Sequence, residues 1–198
     1  MNNTINCLIA GVGGQGTVLA SKLIAAAAMT KNYDVRTTET IGMAQRGGGV
    51  VSHVRMGNNI QSPLIPLKNA QIIIAFEPAE AVRVLPYLSE NGLLIVCDVA
   101  IKPVTSSLSG DNYKAEDMLD FLNKNVKNLI IINGNDLTKQ CKNSKTLNVA
   151  LLGTAVESGI FPFNADDIIK VLNEMLPEKF LEMNINALKI GRSMYNAK

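Results

Sequence analysis

Cysteine and histidine are scarce in this chain. Its 198 residues include three cysteines and one histidine. Cys7, Cys97 and Cys141 stand far apart and no Cys-x-x-Cys occurs, so the chain alone cannot assemble an iron–sulfur cluster or a zinc site. Cys7 and Cys97 fall in apolar runs, where cysteine packs as a small hydrophobe. With His53 the lone histidine, a catalytic triad would have one possible base. An excess of one charge is also missing: 19 Lys and Arg face 17 Asp and Glu, scattered along the chain. That balance gives no case for a nucleic-acid stripe or a membrane-binding face, and neither partner is expected. No run reaches the ~18–20 apolar residues of a membrane span. The opening "MNNTINCLIAGVGG" enters a glycine loop after a short apolar run, unlike a signal peptide, and a cytoplasmic location is the expectation.

What is present is enough apolar material, 47% of residues, for one domain spanning 1–198. Strand and helix patterns alternate along it. Short apolar or β-branched runs at 6–10, 34–39, 50–56, 71–76, 92–99 and 128–133 read as strands, the one at 50–56 half-exposed. Helical spacing marks 15–31, 77–85 and 115–126, with Pro78 at a first-turn position. From about 136 the chain reads helical, through 144–158, 165–176 and 178–195, and Asn164 with Asp167 predicts a capping box. The expected fold is a three-layer α/β/α domain with a mostly parallel sheet and a helical C-terminal third. The polar stretch 102–114 is the expected mobile loop.

Two glycine clusters lie close together, "GVGGQG" at 11–16 and "GMAQRGGGVVSHVR" at 42–55. Gly11, Gly13 and Gly16 fit G-x-G-x-x-G between a strand and a helix, where backbone N–H groups can approach a phosphate. The same glycines also suit close packing of helix on strand. A dinucleotide fold wants an acid near the end of the second strand, and Glu39 stands there, so a free-standing NAD(P)-binding protein is one reading. In the second cluster Arg46 can clasp a phosphate or carboxylate in two-pronged fashion, or sit as a surface arginine on a turn. Gln15 and Gln45 can each donate and accept a bond to a ligand, or brace one loop against the other. His53, beside Val51 and Arg55, reads as a structural hydrogen-bonder whose protonation Arg55 disfavours. Glu77 and Glu80 suit the start of a helix, or face a partner. Asn148 and Asn184 sit in apolar helical stretches and read as core braces.

Together these stretches resemble the gamma-type subunit of the 2-oxoacid:ferredoxin oxidoreductases, and within that family the small (beta) subunit of indolepyruvate:ferredoxin oxidoreductase. Beyond the glycine clusters, the likeness runs through "SPLI" (62–65), "EPAEAVRVLPYL" (77–88), "NVALLGTA" (148–155) and "NINALKIG" (184–191). Met43-Ala44-Gln45 ahead of Arg46 is the indolepyruvate-like variant, as against the pyruvate and other 2-oxoacid branches. Cys97 and Asp98 depart from the asparagine–threonine frequent in the family at that place.

The resemblance implies oxidative decarboxylation of a 2-oxo acid, an aryl-pyruvate, to an acyl-CoA, with ferredoxin as acceptor. Thiamine diphosphate and iron–sulfur clusters are implied on a larger partner subunit. This chain would bind no cofactor alone, and would cap the thiamine site and position coenzyme A as co-substrate. "GDN" at 110–112 lacks a thiamine motif's third glycine and is read as coincidence. The expected site joins Gly11, Gly13, Gly14, Gln15, Gly16, Gln45, Arg46, Gly47 and Gly48, with no catalytic acid or base and no metal ligand. A pure assembly module, whose glycine loops only fit a partner's surface, is the third reading.

Overall fold

The computed structural model describes residues 4–41, 48–101 and 113–196. Gln45, Arg46, Gly47, "GDN" and most of the expected 102–114 loop lie outside them. Six strands, β1 (Ile5–Val12), β2 (Asp34–Ile41), β3 (Gly49–Gly57), β4 (Ala70–Ala75), β5 (Leu88–Cys97) and β6 (Asn128–Ile132), form one sheet. Its order is β2-β3-β1-β4-β5-β6. β3 alone runs against its neighbours, and the rest share one direction. Seven α-helices occur among the described residues: α1 (Thr17–Met29), α2 (Pro78–Val84), α3 (Ala115–Asn125), α4 (Gly134–Cys141), α5 (Leu147–Glu157), α6 (Ala165–Met175) and α7 (Leu181–Asn196). None is long and apolar enough to cross a membrane.

Strand alternation builds the three layers. Cys7, Ile9, Val54, Ile72, Ile74 and Ile95 pack on one face against α1 and α4 to α7. Leu8, Ala10, Ile73, Leu94 and Val96 meet α2 and α3 on the other. Successive side chains point to opposite faces, so strands buried on both sides must read as continuous apolar runs. β3 departs from its half-exposed reading: Ser52, His53 and Val54 are all buried, because the strand is inserted between β1 and β2 rather than left at an edge. Two expected helices begin with a 3-10 turn, at Ser144–Thr146 and Glu178–Phe180, and α4 starts two residues before the expected helical region.

Helix α5 is buried along almost its whole length, lying between the sheet and α7. Close approach permits this. A Cβ on Gly191 would fall well inside van der Waals distance of the Ala150 carbonyl, and Thr154 Oγ1 donates to the Gly191 carbonyl at 2.8 Å. At α6 the capping box forms as expected, with Asn164 accepting from Asp167 N–H at 3.1 Å and Asp167 accepting from Asn164 N–H at 3.0 Å. Lys31 reaches the same carboxylate at 3.0 Å, tying α1 to α6.

Two outcomes follow from this packing. Gly191→Ala should cost about 1–3 kcal/mol of unfolding free energy, read by urea denaturation, because backbone leaves the added methyl no room. The Asn164 N–H, then Lys31, holds the Asp167 carboxyl below its usual range. A depressed folded pKa gives stability that is complete above about pH 4 and is lost as pH falls through the folded value. Asp167→Asn should therefore be less stable than the parent at neutral pH, and the gap should close with acid in pH-dependent denaturation.

Candidate functional site

The register of β1 with β3 sets the C-terminal rim of the sheet. Val12 faces Gly49, so the ends of the two glycine-rich segments emerge side by side. Gly13 N–H donates to the Gly48 carbonyl at 3.0 Å and joins them. The chain from β1 leads through α1 to the β2 side of the sheet, and the chain from β4 leads through α2 to the β5 side, over the opposite face. Ligands of open α/β sheets favour such a switch point.

Each glycine of the first segment has its own task. Gly14 (φ +97°) and Gly16 (φ +83°) adopt left-handed backbone. Gly16 is the N-cap of α1 and has no side chain to cap the first-turn N–H groups, which are left for another acceptor. A Cβ there would lie 2.5 Å from Asn148 Nδ2, whose amide also donates to the Gly16 carbonyl at 3.3 Å. Gln15 is turned inward. Its Oε1 accepts from Val12 N–H at 2.6 Å and its Nε2 donates to the Phe76 carbonyl at 2.9 Å. The side chain thus braces β1 against β4, the alternative to a ligand contact that the sequence left open. Gly11 packs over that brace and the Phe76 ring.

A cleft of about 670 Å³ opens beside the segment on the α1 face, and Gly14, Gln15, Gly16 and Leu19 form one wall. The opposite wall comes from Asn135 and Thr138 of α4, from Ser144 and Lys145, and from Leu147 and Asn148 at the start of α5. Val99 and Ile101, just past β5, supply an apolar side. The start of α1 is the open one: the 3-10 turn Ser144–Thr146 runs into α5, with Lys145 N–H donating to Asn143 Oδ1 and Val149 N–H to Asn148 Oδ1, each at 2.9 Å. The α4 start is closed instead, with Asp98 accepting from Gly134 N–H at 2.9 Å and Asn133 from Asp136 N–H. No carboxylate lines the cleft, and Lys145 is its one charged residue among those described. The positive end of α1 plus an ammonium favours an anion.

Of the expected site residues, the structure brings Gly14, Gln15 and Gly16 to the cleft, and places Gly11, Gly13 and Gly48 behind it as support. Lys145, Ser144, Asn135 and Thr138 escaped the sequence reading because they lie more than a hundred residues downstream. The one available signal was Lys145 just ahead of "NVALLGTA".

Other singled-out residues prove structural. His53 Nδ1 accepts from Ile65 N–H at 3.2 Å and the ring meets Tyr87 edge-on. Burial lowers its pKa, rather than Arg55, whose guanidinium binds Asn6 and the Ser62 and Leu64 carbonyls. Burial pushes the Cys97 thiol up to about 11. Glu77 caps α2 by accepting from Glu80 N–H at 3.0 Å, and it also accepts a hydrogen bond from the Tyr113 hydroxyl. Glu80 pairs with Arg83 and lies against Gly49. Asn184 Nδ2 donates to the Phe180 carbonyl. Glu39 is displaced: β3 stands between β1 and β2, setting β2 two strand spacings, roughly 10 Å, from β1. Its carboxylate takes the Ser21 hydroxyl instead, so the ribose contact of a dinucleotide fold does not form.

The two left-handed glycines separate on stability. Gly14→Ala, with open space around it, should cost about 1–2 kcal/mol for the backbone alone. Gly16→Ala adds the encounter with Asn148 and should cost roughly 2–4 kcal/mol in the same denaturation assay.

Comparison with known proteins agrees with the fold. Residues 6–194 match the pyruvate ferredoxin/flavodoxin oxidoreductase family. Indolepyruvate oxidoreductase subunit IorB of Archaeoglobus fulgidus is 35% identical over 188 residues, covering 94% of this chain and 93% of that protein. The crystal structure of a keto/oxoacid ferredoxin oxidoreductase gamma subunit from Geobacter sulfurreducens superposes with a TM-score of 0.70 at 21% identity, covering 98% of this chain and 99% of that one. The 2-oxoglutarate:ferredoxin oxidoreductase of Magnetococcus marinus, solved with 2-oxoglutarate, coenzyme A and succinyl-CoA bound, contains the same fold. There the TM-score is 0.72 at 18% identity, over 98% of this chain and 31% of that one. The chain therefore belongs to the pyruvate ferredoxin/flavodoxin oxidoreductase family, as a subunit of the 2-oxoacid:ferredoxin oxidoreductase type.

Proposed function

We propose that this chain is the small subunit of an indolepyruvate:ferredoxin oxidoreductase and that its cleft holds the phosphates of coenzyme A. The larger partner subunit carries thiamine diphosphate and the iron–sulfur clusters and passes electrons to ferredoxin. The aryl-pyruvate specificity leans on the likeness to the Archaeoglobus subunit. The observation that carries the coenzyme reading is the cleft itself: the uncapped start of α1 and Lys145, with no carboxylate in the lining among the described residues. The residues fit the group. A pyrophosphate takes the backbone N–H groups of Gly14, Gly16 and the first turn of α1, the Gln15 N–H being held by the Val12 carbonyl; the ammonium of Lys145 answers a further phosphate, and Val99 and Ile101 offer apolar surface to the pantetheine arm. Gln45, Arg46 and Gly47, whose chain continues into Gly48, complete the anion contacts in this reading.

The role is positioning and shielding of reactants. Lys145 is the one titratable side chain lining the cleft, and no group of three metal-ligating side chains occurs among the described residues. Lys145→Ala in the assembled two-subunit enzyme should raise the KM for coenzyme A about tenfold or more, the loss of one charge-assisted contact. Turnover at saturating coenzyme A should stay within about twofold. Arg46→Ala should act in the same sense. Unchanged KM in both variants, with subunits still assembled, overturns the reading.

A further inference from the structure

Strand β2 is the outer strand of the sheet, and among the described residues no strand pairs with its free side. An open edge is a template for another strand, and proteins guard one with lysine, proline, a bulge or a short length. β2 has none of these. All of Asp34–Ile41 pairs with β3 in one unbroken register, and the strand holds no lysine, proline or glycine. Val35, Thr37, Thr38, Thr40 and Ile41 are β-branched, which suits pairing. Two of its three charges are already engaged: Asp34 accepts from Asn59 N–H at 2.8 Å and Glu39 from the Ser21 hydroxyl at 3.2 Å. The helix above the edge is equally unguarded. Val18 and Ala25 lie one turn either side of Ser21 and continue to Met29, on the side of α1 that reaches β2. Met29 is 63% exposed, and Lys22 is the one charged residue of α1.

We propose that the β2 edge pairs antiparallel with the β2 edge of a second copy of this chain, so that two six-stranded sheets become one. Opposite residues of an antiparallel pair share a face, so a two-fold axis perpendicular to the sheet must pass through a single residue. The charges choose which one. An axis through Arg36 or Glu39 would set like charges directly against each other. An axis through Thr37 would set Val35 against the Glu39 carboxylate. An axis through Thr38 avoids both: Thr38 meets itself, Thr37 meets Glu39, Arg36 meets Thr40 and Val35 meets Ile41. Threonine against threonine and aliphatic against aliphatic are favourable cross-strand pairs. The same axis brings the two α1 helices together above the seam, where Ala25 permits close approach and Met29 gains cover. This pairing is independent of what the cleft binds.

Cross-linking in the assembled two-subunit enzyme tests the register. Cys7, Cys97 and Cys141 are buried, so an introduced surface thiol is the one read. Thr38→Cys puts two thiols opposite each other, with Cα atoms about 4.5–5.5 Å apart, and mild oxidation should give small-subunit dimers on a non-reducing gel. Thr40→Cys should not link, because its own copy lies roughly 13 Å along the strand. Adding Arg36→Cys to Thr40→Cys should restore the dimer. A second variant, Thr38→Lys, sets two ammonium groups against each other at the axis. In hydrogen exchange the amides of 35–41 should be protected in the parent enzyme and lose that protection in Thr38→Lys, while β1 and β4 keep theirs. Failure of Thr38→Cys to link in an enzyme that still assembles overturns the pairing, and so does equal linking at 38 and 40. Protection of 35–41 that survives Thr38→Lys gives the edge to the larger subunit and overturns it too.

Discussion

Everything at the C-terminal rim depends on the antiparallel pairing of β3 with β1. It puts Val12 across from Gly49, and the bond from Gly13 to Gly48 follows almost as the next rung of that ladder. A parallel neighbour would have carried the second glycine segment to the far end of the sheet, since a parallel strand starts where its partner starts. The β4–α2 junction then holds the arrangement from below. The Phe76 N–H donates to the Ala10 carbonyl, its carbonyl receives Gln15, and Glu80 rests against Gly49. Tyr113 ties the chain entering α3 to Glu77 at the same place. Buried carboxylates are tolerated there because nearly every oxygen is answered; Glu80 Oε2 is the exception, shut against a glycine Cα.

Much of this was legible in the sequence. Six strands, the layering and the helical last third follow from alternation of apolar runs with amphipathic segments, and Asn164 with Asp167 announced their cap. Strand order was not legible, because "DVRTTE" and "VVSHVRM" look the same whether a hairpin sits at an edge or folds back beside β1. That single ambiguity accounts for two misreadings, the half-exposed β3 and the Glu39 ribose contact. Boundaries shifted where local chemistry intervenes: left-handed Gly16 delays α1, and Asn143 and Pro177 lead into 3-10 turns before α5 and α7.

The candidate site was half legible. Glycine spacing between strand and helix signals an anion-binding turn because the physics is local to a few residues. The facing wall is assembled by tertiary packing, and nothing in "GNDLTKQC" or "NSKT" says which helix start it will oppose. Gln15 shows a further limit. Its residue type suits a ligand contact or a brace equally, and only the positions of Val12 and Phe76 decide between them.

Helices α5 and α7 meet backbone to backbone at Gly191, with no layer of side chains between them. Helices that touch through side chains can slide by changing rotamers; these two have nothing to give way. The first turn of α5, with Leu147 and Asn148, borders the cleft. The wall that α5 lends to the cleft is therefore seated on a crossing with no slack.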